Sequence, residues 1–211
     1  MKIATWNVNS LKVRLPQLLN WLAAQQPDIV CLQETKLPDQ DFPREAVAAA
    51  GYHVACSGQK TYNGVALLTR EVPTDVIIGN PLFPDEQRRL LTATVQGICV
   101  VNAYVPNGQA VGSDKYAYKL AWLDALTQWL DERLAATPRL VLAGDFNIAP
   151  DDRDVHDPDA WAGQILCSDA ERAAFRRLLD LGLKDSFRLF DQPEKSFSWW
   201  DYRMLGFQKN R

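Results

Sequence analysis

Short apolar runs, most of them closed by a polar residue, dominate this sequence and limit the folds open to it. Lys2 to Val8, Asp28 to Leu32, Gly51 to Cys56, Gly64 to Arg70, Leu90 to Val95, Ile98 to Val105 and Leu140 to Ala143 are short and rich in strand formers. Gln96-Gly97, between two of them, has the composition of a tight hairpin turn. Helical patterns lie between the runs. Leu15, Leu18, Leu19 and Leu22 fall at i, i+3, i+4 and i+7, which places Pro16 in a first turn, where proline is tolerated. A long helix is predicted from Lys115 to Ala136, with Leu123, Leu126, Leu130 and Leu134 on its buried face and Pro138 just beyond it. Ser168 and Glu171 form a capping-box signature for a helix through Leu181, stopped by Gly182. Phe197 to Trp200 is read as a last strand. Strands and helices alternate early, whereas hairpin-like pairs dominate the middle. That mixture predicts two packed sheets with helices outside, rather than one doubly wound sheet.

With 47% hydrophobic and 23% charged residues in a chain of 211, one sizeable core is available. No repeat, low-complexity tract or linker interrupts it, so residues 1–211 are read as a single domain. No apolar run approaches the roughly 20 residues needed to span a bilayer. The N-terminal MKIATWNVNS lacks the apolar segment of a signal peptide. The expectation is a soluble cytoplasmic protein with no membrane partner. Cys31, Cys56, Cys99 and Cys167 are scattered, and His53 and His156 are the only histidines, which argues against a zinc site and for reduced, structural thiols. A formal net charge of -3 does not suit a protein that coats nucleic acid, although an enzyme needs only a basic rim around its site.

The chemistry sits where the runs end. Asn7 and Asn9, Glu34, Tyr104 and Asn107, and Asp145 with Asn147 each lie at or just after an apolar strand. Side chains at the ends of neighbouring strands converge readily on one cleft. Glu34 and Asp145 offer hard carboxylate oxygens, and Asn7 and Asn147 offer neutral oxygens or N–H donors. Mg²⁺ prefers such ligands and keeps several waters. It also suits phosphoester hydrolysis, because it stabilises charge developing on phosphoryl oxygens. Taken singly, each Asp or Asn is more often a turn former, and a tyrosine after a strand is more often a core aromatic. Spacing alone leaves a phosphodiesterase as one option among several.

The strings ATWNVNSLKVRL, DIVCLQETK, NGVALLTR, VNAYVPNG, LAGDFNIAPDDRDVHDP and SFSWWDYR follow one another in that order. Together they closely resemble the exonuclease III family of abasic-site endonucleases, within the endonuclease/exonuclease/phosphatase superfamily, over essentially the whole chain. LQET and GDFN mark only the superfamily, whereas WNVNSLKVRL and SWWDYR are more specific. The resemblance implies an α/β fold, a four-layer α-β-β-α sandwich like that of deoxyribonuclease I. It makes Glu34 the main metal ligand, with Asn7 beside it and Asp145 and Asn147 close to the metal, which would be Mg²⁺ with Mn²⁺ as the alternative. Asp145 would orient and deprotonate the attacking water, Asn147 would steady it, and Tyr104 and Asn107 would contact phosphate oxygens. The implied substrate is double-stranded DNA with abasic sites or 3′ ends, cleaved 5′ to the abasic sugar by a monomer, with 3′→5′ exonuclease and 3′-phosphatase activities alongside.

Trp199 matches the aromatic that lines the pocket for a flipped-out abasic sugar in this family, though it also reads as ordinary core beside Phe197 and Trp200. Arg88, Arg89, Lys36 and Arg203 are candidate phosphate contacts, or else solvated surface charges. The family pattern continues with a GLRID-like strand and an Asp-His pair that these 211 residues do not contain. The C-terminal strands are therefore expected to be missing, and the chain on its own to be weak or inactive. Asp201 matches a different position, and neither His53 nor His156 is expected to substitute. Two competing readings remain. A lipid- or inositol-phosphate hydrolase of the superfamily would share Glu34 and GDFN but not the specific strings. A non-catalytic nucleic-acid-binding relative typically loses the carboxylates that are retained here.

Overall fold

The structure is a computed structural model of the chain, and it describes residues 1–202 and 206–209. These form two compact units, one of Met1–Val105 with Gln128–Phe146, the other of Pro106–Thr127 with the described residues from Asn147 onward.

The first unit holds two four-stranded sheets. One has the order β1 (Ile3–Asn7), β2 (Ile29–Gln33), β4 (Val65–Thr69), β3 (His53–Ser57); the other runs β5 (Thr74–Ile78), β6 (Leu90–Val95), β7 (Ile98–Tyr104), β8 (Leu140–Asp145). Only β1–β2 and β7–β8 pair in parallel, so the C-terminal ends of each pair lie side by side: Asn7 is level with Gln33, and Tyr104 with Asp145. β2 is buried along its whole length, which explains its apolar run IVCL ahead of Gln33. Its alternate residues serve two layers. Ile29 and Cys31 join Val65 and Leu67 in packing onto Leu91, Ala93, Val95 and Val100 of the other sheet. Val30 and Leu32 face the opposite way, onto Leu11, Leu18 and Leu22 of α1 (Leu11–Gln25) and Val47 of α2 (Arg44–Ala49). The last residues of α3 (Asp114–Ala136) cover the outer face of the second sheet, where Arg133 Nη2 lies 3.9 Å from Cys99 Sγ on β7. The expected α-β-β-α layering is present.

Several local expectations hold. Gln96 and Gly97 take φ of 50° and 72°, the doubly left-handed turn whose twist matches a hairpin, and they close β6 onto β7. In the second unit, the short helix α4 (Pro158–Trp161) precedes α5 (Asp169–Asp180), which starts at Ser168 with both capping-box bonds formed, and Gly182 at φ 98° follows its end. The four cysteines are buried and free.

Others need correction. α1 begins at Leu11, earlier than the leucine stripe suggested, so Pro16 sits inside the helix rather than in its first turn. Full burial of Leu11 beside Val8 draws those extra residues into the helix. α2 and β5 were not expected. β5 is an edge strand with most of its residues exposed and so has no buried face to leave a pattern. Phe197 to Trp200 is not a strand. Its aromatics pack edge-on instead, Phe197 at 5.7 Å from Trp200 and Trp200 at 5.3 Å from Phe207 of α6 (Gly206–Lys209).

One glycine is fixed by close approach. Gly144, at φ 149°, lies so near β7 that a Cβ there would come 1.8 Å from the Ala103 carbonyl oxygen. Gly144→Ala is therefore expected to part β8 from β7 and to destabilise the fold by about 2–4 kcal/mol, from overpacking together with an unfavourable φ. Urea unfolding measures this, and a loss below about 0.5 kcal/mol would show that the strands yield freely at this point.

Candidate active site

In the first unit the ends of four strands bring their polar residues together. Asn7 ends β1, Glu34 follows β2, Tyr104 ends β7 and Asp145 ends β8. Asn7 ties the sheets together, its Nδ2 donating to Glu34 Oε1 at 2.9 Å and to Asp145 Oδ2 at 2.7 Å. The Tyr104 hydroxyl and the Glu34 carboxyl interact as well, each shifting the pKa of the other. Two carboxylates that accept from one nitrogen stand close to each other, an arrangement that repels unless donors or a cation lie between them.

The backbone around this cluster is strained. Asn9, Ser10, Glu34 and Lys36 take φ of 41°, 88°, 55° and 55°, in the left-handed region that non-glycine residues seldom occupy. Strain of this kind persists only where surrounding bonds over-determine it. Here Ser10 N donates to Glu34 O at 2.8 Å and Leu11 N to Thr35 O at 3.1 Å. On the other side, Thr35 N donates to Gly64 O at 3.1 Å and Lys36 N to Asn63 O at 2.9 Å. Gly64, at φ 92°, admits this crossing, since a Cβ there would meet Thr35 Oγ1 at 2.2 Å.

Lys36 is engaged within the cluster. Its Nζ lies 2.9 Å from Glu34 Oε2 and donates to Asn9 Oδ1 at 2.6 Å. Burial by itself would raise the Glu34 pKa, but the hydrogen bonds from Asn7, Lys36 and Tyr104 and the Lys36 charge outweigh it and hold the carboxyl below its ordinary value. The Tyr104 hydroxyl moves the other way. Burial, then the negative charge of Glu34 beside it, push its pKa well up, so it stays a neutral donor. The Arg89 guanidinium opposes that shift from 4.6 Å over the Tyr104 ring, while its Nε donates to Gln87 Oε1 at 2.9 Å. Arg89 thus supports Tyr104. Arg88 is exposed, and its carbonyl accepts from Gly64 N at 2.9 Å.

Sequence patterning gave no signal for a buried amide pair beneath the cluster. Gln33 Nε2, beside Glu34, donates to Asn102 Oδ1 at 2.8 Å, and Asn102 Nδ2 donates to the carbonyls of Leu32 at 3.0 Å and Ala66 at 2.9 Å. Asn102 lies two residues before Tyr104 on β7, hence on the same face. The pair fixes one sheet against the other directly below Glu34 and Tyr104.

The second unit holds the remaining candidates. Asn107 Nδ2 donates to Asn147 Oδ1 at 3.3 Å, and Asn147 takes φ of 47°. Both of their carbonyls accept from Lys119 of α3, which is fully buried and paired with the equally buried Glu171. Trp199 is 40% exposed. Arg203 lies outside the described residues. His53 is exposed on β3 opposite Thr69, at the other end of that sheet from Gln33, and His156 packs edge-on against Trp161 at 6.5 Å.

The donors around Glu34 are oxygens and amides. Among the described residues no three His, Cys, Asp or Glu side chains gather into a metal cage. Two adjacent carboxylates fit a hard cation that keeps much of its water, and they do not fit zinc.

The sequence pattern described as Endonuclease/Exonuclease/phosphatase family matches residues 4–210. The chain belongs to that family. It is 37% identical over 224 aligned positions to exodeoxyribonuclease III of Haemophilus influenzae, covering 100% of this chain and 84% of that protein. Two solved structures share the fold closely. The 3′ phosphatase NExo from Neisseria, bound to a product DNA hairpin, superimposes with a TM-score of 0.95 at 50% identity, over 99% of this chain and 82% of that one. An AP endonuclease from Archaeoglobus fulgidus gives 0.93 at 39% identity, over 100% and 82%. Among the described residues of this family member, no helix is long and apolar enough to cross a membrane.

Proposed function

We propose that this chain carries the phosphodiesterase chemistry of exonuclease III-type DNA repair. It would hydrolyse the bond 5′ to an abasic site in duplex DNA and leave a 3′-hydroxyl and a 5′-deoxyribose phosphate. Exonuclease and 3′-phosphatase activities would use the same phosphate geometry. The observation that carries this reading is Asn7 bonded to Glu34 and Asp145 at once, a carboxylate pair held at the joined ends of parallel strands. The names of the relatives support it, since they are an exodeoxyribonuclease, a 3′ phosphatase and an AP endonuclease.

Glu34 would hold Mg²⁺, with Mn²⁺ as a substitute, assisted by Asn7, Asp145 and Asn147; the ion supplies positive charge to the phosphoryl oxygens. Asp145 accepts the proton of the water that attacks in line, a role that requires hydrogen-bond reach to that water. Tyr104, kept protonated, donates to a phosphate or leaving oxygen, and Asn107 and Asn147 offer further amide donors. Trp199 offers an apolar wall for the baseless sugar, whose extrusion costs less than that of a paired nucleotide. Arg88 and Arg203 remain candidates for the DNA backbone, whereas Lys36 is better read as a partner of Glu34. We further read the 211 residues as one domain of a cytoplasmic monomer. We read their activity alone as weak or absent, and His53, remote from Glu34, as no substitute for a catalytic histidine.

The test incubates the 211-residue chain, and a form extended with the Asp-His segment, with a duplex carrying one abasic-site analogue, in Mg²⁺ and in EDTA. Mg²⁺-dependent incision 5′ to the lesion by the extended form alone is expected. Incision by neither form, with tight nucleic-acid binding, would instead favour a regulatory binding protein.

A further inference from the structure

We infer that the buried Lys119–Glu171 pair is a positioning device that sets Asn107 and Asn147 for their work on the phosphate. The inference rests on the reading that these two asparagines act on substrate, and it adds two residues that the sequence reading did not assign to the site.

Lysine is almost never fully buried unless paired. Lys119 has no exposed side-chain surface, and neither has Glu171. The ammonium donates to three acceptors: Asn147 O at 2.6 Å, Asn107 O at 3.1 Å and Glu171 Oε1. Glu171 is itself held, accepting from Leu166 N at 3.0 Å, Ser168 N at 3.1 Å and Ser168 Oγ at 2.6 Å. Ser168 Oγ lies 2.6 Å from the Tyr116 hydroxyl. Gly108 leaves room for the lysine stem, since a Cβ there would come within 3.0 Å of Lys119 Cδ.

An ion pair is a poor way simply to fill a core. Apolar residues of similar volume are often as stable or more so, because desolvation of both charges is avoided. What an apolar pair does not supply is a donor to backbone carbonyls. Lys119 supplies two, one on each candidate residue, and one of those residues holds a left-handed backbone at φ 47°. With both carbonyls pinned to one nitrogen, the side chains of Asn107 and Asn147 meet at 3.3 Å. Lys119 is fully buried and acts through the backbone of Asn107 and Asn147, so its role is positioning. Errors of about 1 Å in such placement cost roughly 10²-fold in rate.

The test compares Lys119→Met/Glu171→Gln, which removes the charges and keeps the volume, with Leu18→Ala, a core variant that lowers stability without touching the network. Two readouts are taken. In the 211-residue chain labelled with ¹⁵N-asparagine, the Asn147 backbone amide and Asn107 side-chain signals are followed by NMR. In the extended form, kcat and KM are measured on the abasic duplex. The double variant is expected to shift or broaden both signals and to lower kcat about 10²-fold, with KM within about threefold. Leu18→Ala should leave all four quantities near wild type. Unchanged signals and kcat in the double variant overturn the inference, and so does an equal kcat loss in Leu18→Ala. If the double variant does not fold, Glu171→Gln replaces it, with about a tenfold kcat loss expected from the weakened charge-assisted bond. An extended wild type that incises nothing would refute the proposed function, while the NMR arm would still decide whether the pair places the asparagines.

Discussion

Asp145→Asn, made in the extended form, is expected to lower kcat on an abasic duplex by about 10³-fold, within the range for removing a general base. DNA affinity should stay within about threefold. The substitution keeps the shape and removes the ability to accept a proton. Asn7 Nδ2 donates to Asp145 Oδ2 at 2.7 Å, and an amide oxygen in the same place still accepts that bond, though more weakly than a carboxylate. The negative charge beside Glu34 is lost at the same time, so the variant should be no less stable than wild type. Single-turnover incision, fluorescence anisotropy and thermal melting separate these effects. A rate loss below tenfold would remove Asp145 from the role of base. A matching loss of DNA affinity would show instead that Asp145 acts through binding.

The position of Asp145 was largely legible in the sequence, because it depends on a rule with a physical cause, whereas its role as base came from the family resemblance alone. A buried strand reads as an apolar run, and a polar residue that ends it lies at the rim of the sheet. Parallel pairing of β1 with β2 and of β7 with β8 then brings Asn7 beside Glu34, and Tyr104 beside Asp145. Glycine was informative for the same reason, since only Gly144 allows β8 to run so close to Ala103. What escaped depends on contacts distant in sequence. Lys36 looks like any basic residue near a nucleic-acid site, and only the left-handed turn at Lys36 directs it back to Glu34. Lys119 lies four residues before Leu123 on the buried stripe of α3, and no local pattern distinguishes a buried lysine from a solvated one. Glu171 was legible as a helix cap and illegible as the partner of Lys119. The Gln33–Asn102 bond joins residues of different sheets, and neither strand by itself indicates it.

Glu34 carries the second large effect. EDTA should abolish incision by the extended form, and Mg²⁺ should restore it. Glu34→Gln should weaken the response to Mg²⁺ enough that saturation is not reached where wild type is saturated. A readout independent of activity is available in the 211-residue chain. Ligand present at 100 times its Kd stabilises the folded state by about 2.7 kcal/mol, so Mg²⁺ should raise the Tm of wild type and leave that of Glu34→Gln nearly unmoved. The pH dependence follows from the sign of the Glu34 shift. Its folded-state pKa lies below the ordinary value of 4.5, held there against burial by Asn7, Lys36 and Tyr104. The stability that this carboxylate contributes is therefore fully present above pH 4.5 and is lost as pH falls through the lower folded value. Metal binding needs the same ionised form, so the part of its pH dependence that comes from Glu34 should be flat from neutrality down to about pH 5 and should fall only below it. Loss of the Mg²⁺-induced Tm shift already near pH 6.5, in a chain whose Glu34 remains ionised by ¹³C NMR, would mean that another group controls the ion. An equal shift in Glu34→Gln would remove Glu34 from the metal site altogether.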